Sequence, residues 1–319
     1  MIRFLHSRGH GYTVKKVRQS PLAPAISLMD YDALLRARWL RRGTYIFTDL
    51  DRLNRWDLEL AAELYLQLQR AGLPVWNNPA KVKTRYPLLR TLHAAGLNDF
   101  NVHRADELSS AIRYPVFVRK AHGHGAPVSD LLPTRPELDQ ALAKAIAGGT
   151  PGENLLVIEF AAEPVRPGVF RKLSAFRIGN AIVPHISVHD TGWLVKMGRK
   201  FDNIEDLYLE EQTLLQTNPF AEQLRKVFEL AEIEYGRADF GVYRGRLQIY
   251  EINTNPNLGP GEAHPSPTRV TNMRFVWEKY HAALRTLDSG GGWPVRLASG
   301  ALQRHRPRKH LFVRSRIVP

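Results

Sequence analysis

Asp239-Phe240-Gly241-Val242-Tyr243-Arg244-Gly245-Arg246-Leu247-Gln248-Ile249-Tyr250-Glu251-Ile252-Asn253-Thr254-Asn255-Pro256 is the stretch on which the fold turns. It reads as a β-hairpin with Arg244-Gly245 at the turn, each arm bringing a carboxylate to the same end. Asp239 starts the first arm, and Glu251 and Asn253, two apart, point to one face of the second. Two carboxylates and an amide oxygen are hard ligands, better matched to Mg²⁺ than to a softer metal. Magnesium held in this way keeps positions open for phosphate oxygens. Taken alone, the same residues also suit a surface hairpin with ordinary polar ends.

Outward from the hairpin, strands are expected at 115–119, 155–159, 173–178 and 181–188, and helices at 136–147 and from Asn218-Pro219 onward. Short connections between neighbouring strands imply antiparallel pairing, so the body reads as α+β. Upstream the pattern differs. A buried strand at 44–48 precedes a helix capped by Asn54, in which Leu58, Ala61, Ala62, Tyr65 and Leu68 recur at helical spacing. Gly72 and Pro74 stop that helix, and Pro74-Val75-Trp76 reads as the next strand, giving a small α/β start. A further helix is expected at about 87–95, ended by Gly96.

With these elements in place, the hairpin resembles the metal-binding hairpin of the ATP-grasp superfamily, Asp followed about a dozen residues later by Glu-x-Asn-x-x-Pro. It is most similar to the branch that holds glutathione synthetase, D-alanine–D-alanine ligase and the ribosomal-protein glutamate ligase. The resemblance implies an α/β N-terminal domain plus an α+β body of two lobes clasping ATP. The corresponding segments are 1–80 as the N-terminal domain, 81–165 as the first lobe with its hinge, 166–287 as the second lobe, and 288–319 as a basic, flexible tail.

By the same resemblance Asp239, Glu251 and Asn253 hold Mg²⁺ on the ATP phosphates. Arg119, Lys120, His122, Gly123 and Gly125 form the strand and glycine loop over the triphosphate, and Glu159, Phe160 and Ala161 form the hinge at the adenine edge. Relatives usually carry Lys at two phosphate-contacting places. Arg85 stands at the first and Arg119 at the second, or Lys120 if the strand slips by one. A third place, often Arg, is Ser174 here, for which Arg171, Lys172 or Arg177 are possible substitutes. Arg171, Lys196 and Arg199 are the candidate cations for the γ-phosphate and acyl group.

The implied activity is ATP-dependent carboxylate–amine ligation through an acylphosphate, with a small-molecule or peptide carboxylate and an amine acceptor as substrates. Kinase action, or non-catalytic binding of ATP or nucleic acid, are the alternatives, and homodimers are common among relatives. The fold's chemistry needs no covalent nucleophile, which suits a chain of 319 residues without a single cysteine. That absence also excludes disulfides, zinc–thiolate sites, iron–sulfur clusters and thiol catalysis. No apolar run approaches the ~20 residues of a membrane span, and a cytoplasmic location is expected.

Net charge is +14, and all of it lies at the ends. Residues 1–42 hold nine Lys/Arg against two Asp/Glu, residues 290–319 hold seven against none, and 43–289 carry 29 of each sign. The basic termini therefore suggest an acidic partner, while the balanced middle argues against a nucleic-acid-binding body. The first 29 residues lack acids, but Gly9-His10-Gly11, Pro21 and Pro24 oppose the amphipathic helix of a targeting sequence. His185 and His189, four apart, are expected on one strand face over the floor of the site. Trp76, Phe160 and Trp193 are expected to pack rather than to stack on a base.

Overall fold

The computed structural model describes residues 1–297 except Ser109, His124, Met197, Arg199, Lys200, Asp202, Asn203 and 260–263. The chain enters through β1 (Ile2–His6), a strand concealed in the acid-free N-terminal segment and buried along its whole length. Next come α1 (Lys15–Gln19), β2 (Ile26–Asp30), α2 (Tyr31–Arg36), β3 (Trp39–Leu40), β4 (Thr44–Phe47), α3 (Arg55–Arg70) and β5 (Val75–Trp76). Four of these strands form a parallel sheet in the order β2-β1-β4-β5. A central parallel strand is covered on both faces, which explains why β1 shows no polar alternation. Its one cation, Arg3, is accommodated by Ser27 Oγ at 2.8 Å and the Tyr45 hydroxyl at 2.5 Å. Asn54 caps α3 through Asp57 N, and Ala61, Leu64, Tyr65 and Leu68 seal that helix onto the sheet.

A three-stranded antiparallel sheet follows in the order β6-β8-β7, from β6 (Val102–Arg104), β7 (Val116–Lys120) and β8 (Leu155–Glu159). Before it stands α4 (Arg85–Ala94), and across one of its faces lies α5 (Arg135–Ala147). Thr134 and Glu137 form a capping box at the start of α5. Leu138 and Leu142 of α5 pack on Val116, Val118, Leu155 and Val157.

The last sheet is antiparallel, in the order β11-β10-β12-β13, with β9 (Pro164–Arg166) paired to the start of β10. Its long strands are β10 (Val169–Ile178), β11 (Ala181–Asp190), β12 (Tyr235–Tyr243) and β13 (Arg246–Asn253). Between β11 and β12 run α6 (Glu205–Thr217) and α7 (Ala221–Ala231), and α7 with α4 covers one face through Leu224, Val227, Phe228 and Leu88. α8 (Pro267–Arg285) then crosses back. Its Tyr280 and Leu284 join one core with Ile2 and Phe4 of β1 and Phe176 and Tyr235 of the last sheet. An α/β start followed by two α+β lobes is the fold class expected from the sequence.

Residues 288–297, the start of the segment expected to be flexible, are held against the N-terminal domain. β14 (Val295–Arg296) pairs antiparallel with β3, and Leu297 is buried in the core of the N-terminal sheet. Asp288 also meets the N-terminal ammonium of Met1. Apolar Val295 and Leu297, two apart, drive this docking; residues 298–319 lie outside the described residues. Among the described residues no helix is long and apolar enough to cross a membrane.

Candidate functional site

Tyr243 and Arg246 close the hairpin across Arg244 (φ 50°) and Gly245 (φ 74°), both left-handed, as a two-residue turn between twisted strands requires. Pairing then proceeds regularly to Phe240 opposite Ile249 and jumps to Asp239 opposite Glu251. Tyr250 is therefore a bulge. Without it Asp239 would face Tyr250, and Glu251 would project from the other side of the sheet. Asp239 also stands mid-strand rather than at the start of its arm. β12 already begins at Tyr235, whose amide is held by Asn77 Oδ1 at 2.9 Å.

Among the described residues four cations surround the two carboxylates. Asp239, almost fully buried, accepts from Lys172 Nζ at 3.1 Å and from Arg237 Nε at 2.9 Å. Glu251 accepts from Arg85 at 2.9 Å, with Arg119 at 3.7 Å. Asn253 Nδ2 lies 3.4 Å from Glu251 Oε1. Burial and the neighbouring Arg85 depress the Arg119 pKa to about 10, against the opposing pull of Glu251, so it stays charged at neutral pH. The group of six carries two excess positive charges in a half-dry setting, a demand for an anion.

That demand opens on a cleft with an empty volume of about 1050 Å³ between the last two sheets. Arg119, Arg171, Lys172 and Lys196 and the acids Glu159, Glu163, Asp239 and Glu251 are its charged lining residues. The remainder is largely apolar, including Leu89, Phe117, Ile158, Phe160, Trp193, Val242 and Tyr250. Trp193, on the loop after β11, reaches across to Phe117 and Phe160 with ring centroids 4.9 and 5.8 Å away. Trp193 and Phe160 thus pack as expected, but the packing makes a wall of the cleft; Trp76 packs against the core shared by β1 and the last sheet. Tyr250 lies over Gly241, and its hydroxyl donates to the Ala161 carbonyl at 3.3 Å. A methyl group at position 241 would overlap that hydroxyl. Gly241→Ala is expected to cost about 1–3 kcal/mol of stability, measured by urea unfolding, as the ring is forced off its seat.

The expected site residues divide into two sets. Arg119, Gly125, Glu159, Phe160, Ala161, Arg171, Lys196, Asp239 and Glu251 line the cleft, whereas Arg85, Lys120, His122, Gly123 and Asn253 do not. Arg85 donates to the carbonyls of Lys120, Ala121 and Gly123 at 2.9–3.1 Å as well as to Glu251, so it organises the glycine loop from behind. Strand alternation turns Arg119, and not Lys120, toward the cleft. Phe117 and Arg119 face the cleft, Val116 and Val118 face α5, and Lys120 is exposed. His122 is likewise exposed.

Glu159 lines the cleft with its carboxylate engaged by neighbouring main chain. That carboxylate accepts from the amides of Asn101 and Arg113, both at 3.0 Å. Arg171 is paired with Glu210 at 2.9 Å. Arg199 lies outside the described residues. Of the proposed stand-ins for Ser174, Lys172 reaches Asp239, while Arg177 is engaged with the carbonyls of Gly179 and Ile233. Arg237 was missed by sequence reasoning. Its signal was available: two residues before Asp239 on a strand, it shares that residue's face.

His185 and His189 do not share one strand face as expected. A bulge sets His185 opposite Ser174 and His189 opposite Arg171. His185 hydrogen-bonds Ser174 Oγ at 3.1 Å and packs on Phe176, whereas His189 packs on Tyr208. Burial, reinforced by Arg171 and Arg269 and opposed by Glu211, pushes the His189 pKa down to about 4. Burial also holds His185 well below its usual value, with Arg237 and Arg269 adding to it. Both rings are neutral when folded and take up a proton more readily when unfolded, so stability falls as pH drops below 6.5. For His189 the expected loss is about 2 kcal/mol at pH 5 relative to pH 7. Urea unfolding of His189→Gln at the two pH values should show a correspondingly smaller decline than wild type.

No protein-family model matches the chain, and no curated protein is similar to it in sequence. Among solved structures it is similar to D-alanine–D-alanine ligase from Bacillus anthracis in complex with ATP, at 11% identity and a TM-score of 0.48 over 89% of this chain and 97% of that one. The corresponding ligase from Coxiella burnetii aligns at 13% identity and a TM-score of 0.48 over 90% and 97%. An ATP-grasp RimK domain protein from Sphaerobacter thermophilus aligns at 12% and 0.47 over 89% and 99%. At these identities and scores the likeness says nothing of what this chain acts on.

Proposed function

We propose that the cleft binds ATP and that the protein is an ATP-dependent carboxylate–amine ligase. The observation that supports this reading is the excess of cations around the paired carboxylates Asp239 and Glu251, set directly beside an apolar, aromatic-walled cavity. A planar base fits the apolar half, and a polyphosphate answers the charge demand of the other half.

The donor set also fits the metal that such chemistry uses. Asp239, Glu251 and Asn253 share one face of the hairpin and offer oxygen ligands of the type Mg²⁺ takes. Mg²⁺ held by these residues would supply charge neutralisation for phosphoryl transfer. Arg119 and Lys172 line the phosphate end and can turn from the carboxylates to the phosphates. Arg85, fixed to three carbonyls, holds the glycine loop in place, and Trp193 with Phe117 and Phe160 excludes water from the base.

In this reading a substrate carboxylate oxygen attacks the γ-phosphorus, the bond to the β-phosphate oxygen breaks, and ADP leaves. An amine then attacks the acyl carbon, phosphate departs with the bonding electrons, and the amine loses a proton. Arg171 and Lys196, which also line the cleft, would attract the carboxylate and the acyl phosphate.

Hydroxylamine tests this without knowledge of the natural amine, because it traps an acylphosphate as a hydroxamate. Pools of carboxylates with ATP, Mg²⁺ and hydroxylamine should give ADP and hydroxamate in equal amounts. ADP accompanied by a phosphate ester stable to hydroxylamine would make the protein a kinase. ATP binding without ADP in any pool would leave it a nucleotide-binding protein.

A further inference from the structure

The two basic ends of the chain, far apart in sequence, meet on one surface. β3 and β14 form a small antiparallel ribbon in which Leu40 faces Val295 and Trp39 faces Arg296. Leu40 is buried beneath, while Trp39 and Arg296 stand side by side and exposed. Trp39 is 60% exposed and Trp293, just before β14, is 88% exposed. The stem of Arg42 lies against Gly292, next to Trp293. Arg36, Arg38 and Arg41 are exposed on the same short stretch. Among the described residues none of these five arginines has a carboxylate partner, and no acid occurs at 33–48 or 289–319. Residues 298–319, outside the described residues, hold six more Lys/Arg and no acid.

We propose that this ribbon is a docking surface for single-stranded nucleic acid. Arginines without counter-ions call for a polyanion, and two exposed indoles flanked by guanidinium groups provide platforms for unpaired bases. A duplex offers phosphates but no open base face. A membrane anchor would need a continuous apolar face, and here the apolar residues of the ribbon, Leu40 and Leu297, point inward. The surface is built from β3 and β14, away from the residues that line the cleft, and is independent of the ligase reading.

The test is fluorescence anisotropy of the full chain with a labelled single-stranded twenty-nucleotide oligothymidylate, a duplex of the same length, and vesicles of phosphatidylcholine with phosphatidylserine. Single strands should bind with an affinity that falls steeply with salt. Trp39→Ala and Trp293→Ala, both at exposed positions and so compatible with folding, should each weaken binding about tenfold while leaving the salt slope unchanged. Arg41→Glu with Arg42→Glu should flatten that slope. The proposal is overturned by absence of binding at low salt, by equal and Trp-independent binding of duplex, or by Trp-dependent binding of vesicles alone.

Discussion

Glu251→Ala is expected to lower ADP release by about 10²–10³-fold while changing ATP affinity in a direction that depends on metal. In metal-free buffer the wild-type carboxylate repels the triphosphate and occupies Arg85 and, at 3.7 Å, Arg119. Its removal frees both guanidinium groups, so ATP should bind the variant at least as tightly as wild type. Adding Mg²⁺ should tighten binding to wild type much more than to the variant, because one carboxylate ligand is gone. Calorimetric titration with and without Mg²⁺ separates these effects. Equal tightening by Mg²⁺ in the two proteins would remove Glu251 from the metal site, and unchanged ADP release would remove it from the chemistry.

Asn77→Ala is expected to destabilise the protein by about 4 kcal/mol, more than any surface change. Asn77 is fully buried and left-handed, at φ 63°. Its amide nitrogen donates to the carbonyls of Phe47 at 3.0 Å and Tyr235 at 2.7 Å. Its amide oxygen accepts from the backbone of Glu234 at 2.8 Å and Tyr235 at 2.9 Å. One side chain thus satisfies four main-chain groups and locks the end of the N-terminal sheet onto the start of β12. Alanine leaves those groups unpaired and must also adopt the left-handed backbone. Asn77→Gly relieves the backbone strain alone and should recover only about 1 kcal/mol. Urea unfolding of the two variants measures the split; equal and small losses would show that water replaces the side chain.

Much of the fold was legible because local rules and tertiary packing agree. The 44–48 strand, the Asn54-capped helix, the 155–159 strand and the Arg244-Gly245 turn follow from burial, capping and turn chemistry within a few residues. β1 and α8 were not read. β1 is buried on both faces and lacks alternation, and α8 serves two sheets at once, so its apolar residues do not form a single stripe.

Residue types alone identified Asp239, Glu251 and Asn253 as a hard-ligand set and located the charge at the chain ends, whereas the expected glycine loop and hinge came from the family resemblance. Tertiary structure decided how those parts are used. The Tyr250 bulge turned Glu251 to the face of Asp239, and a second bulge separated His185 from His189. Arg85 was drawn to the loop carbonyls, and β14 was brought to β3, joining two basic segments into one surface. The physical reason is common to all of them. Side-chain chemistry is carried by each residue, whereas the face it presents depends on strand register, and register is set by partners distant in sequence.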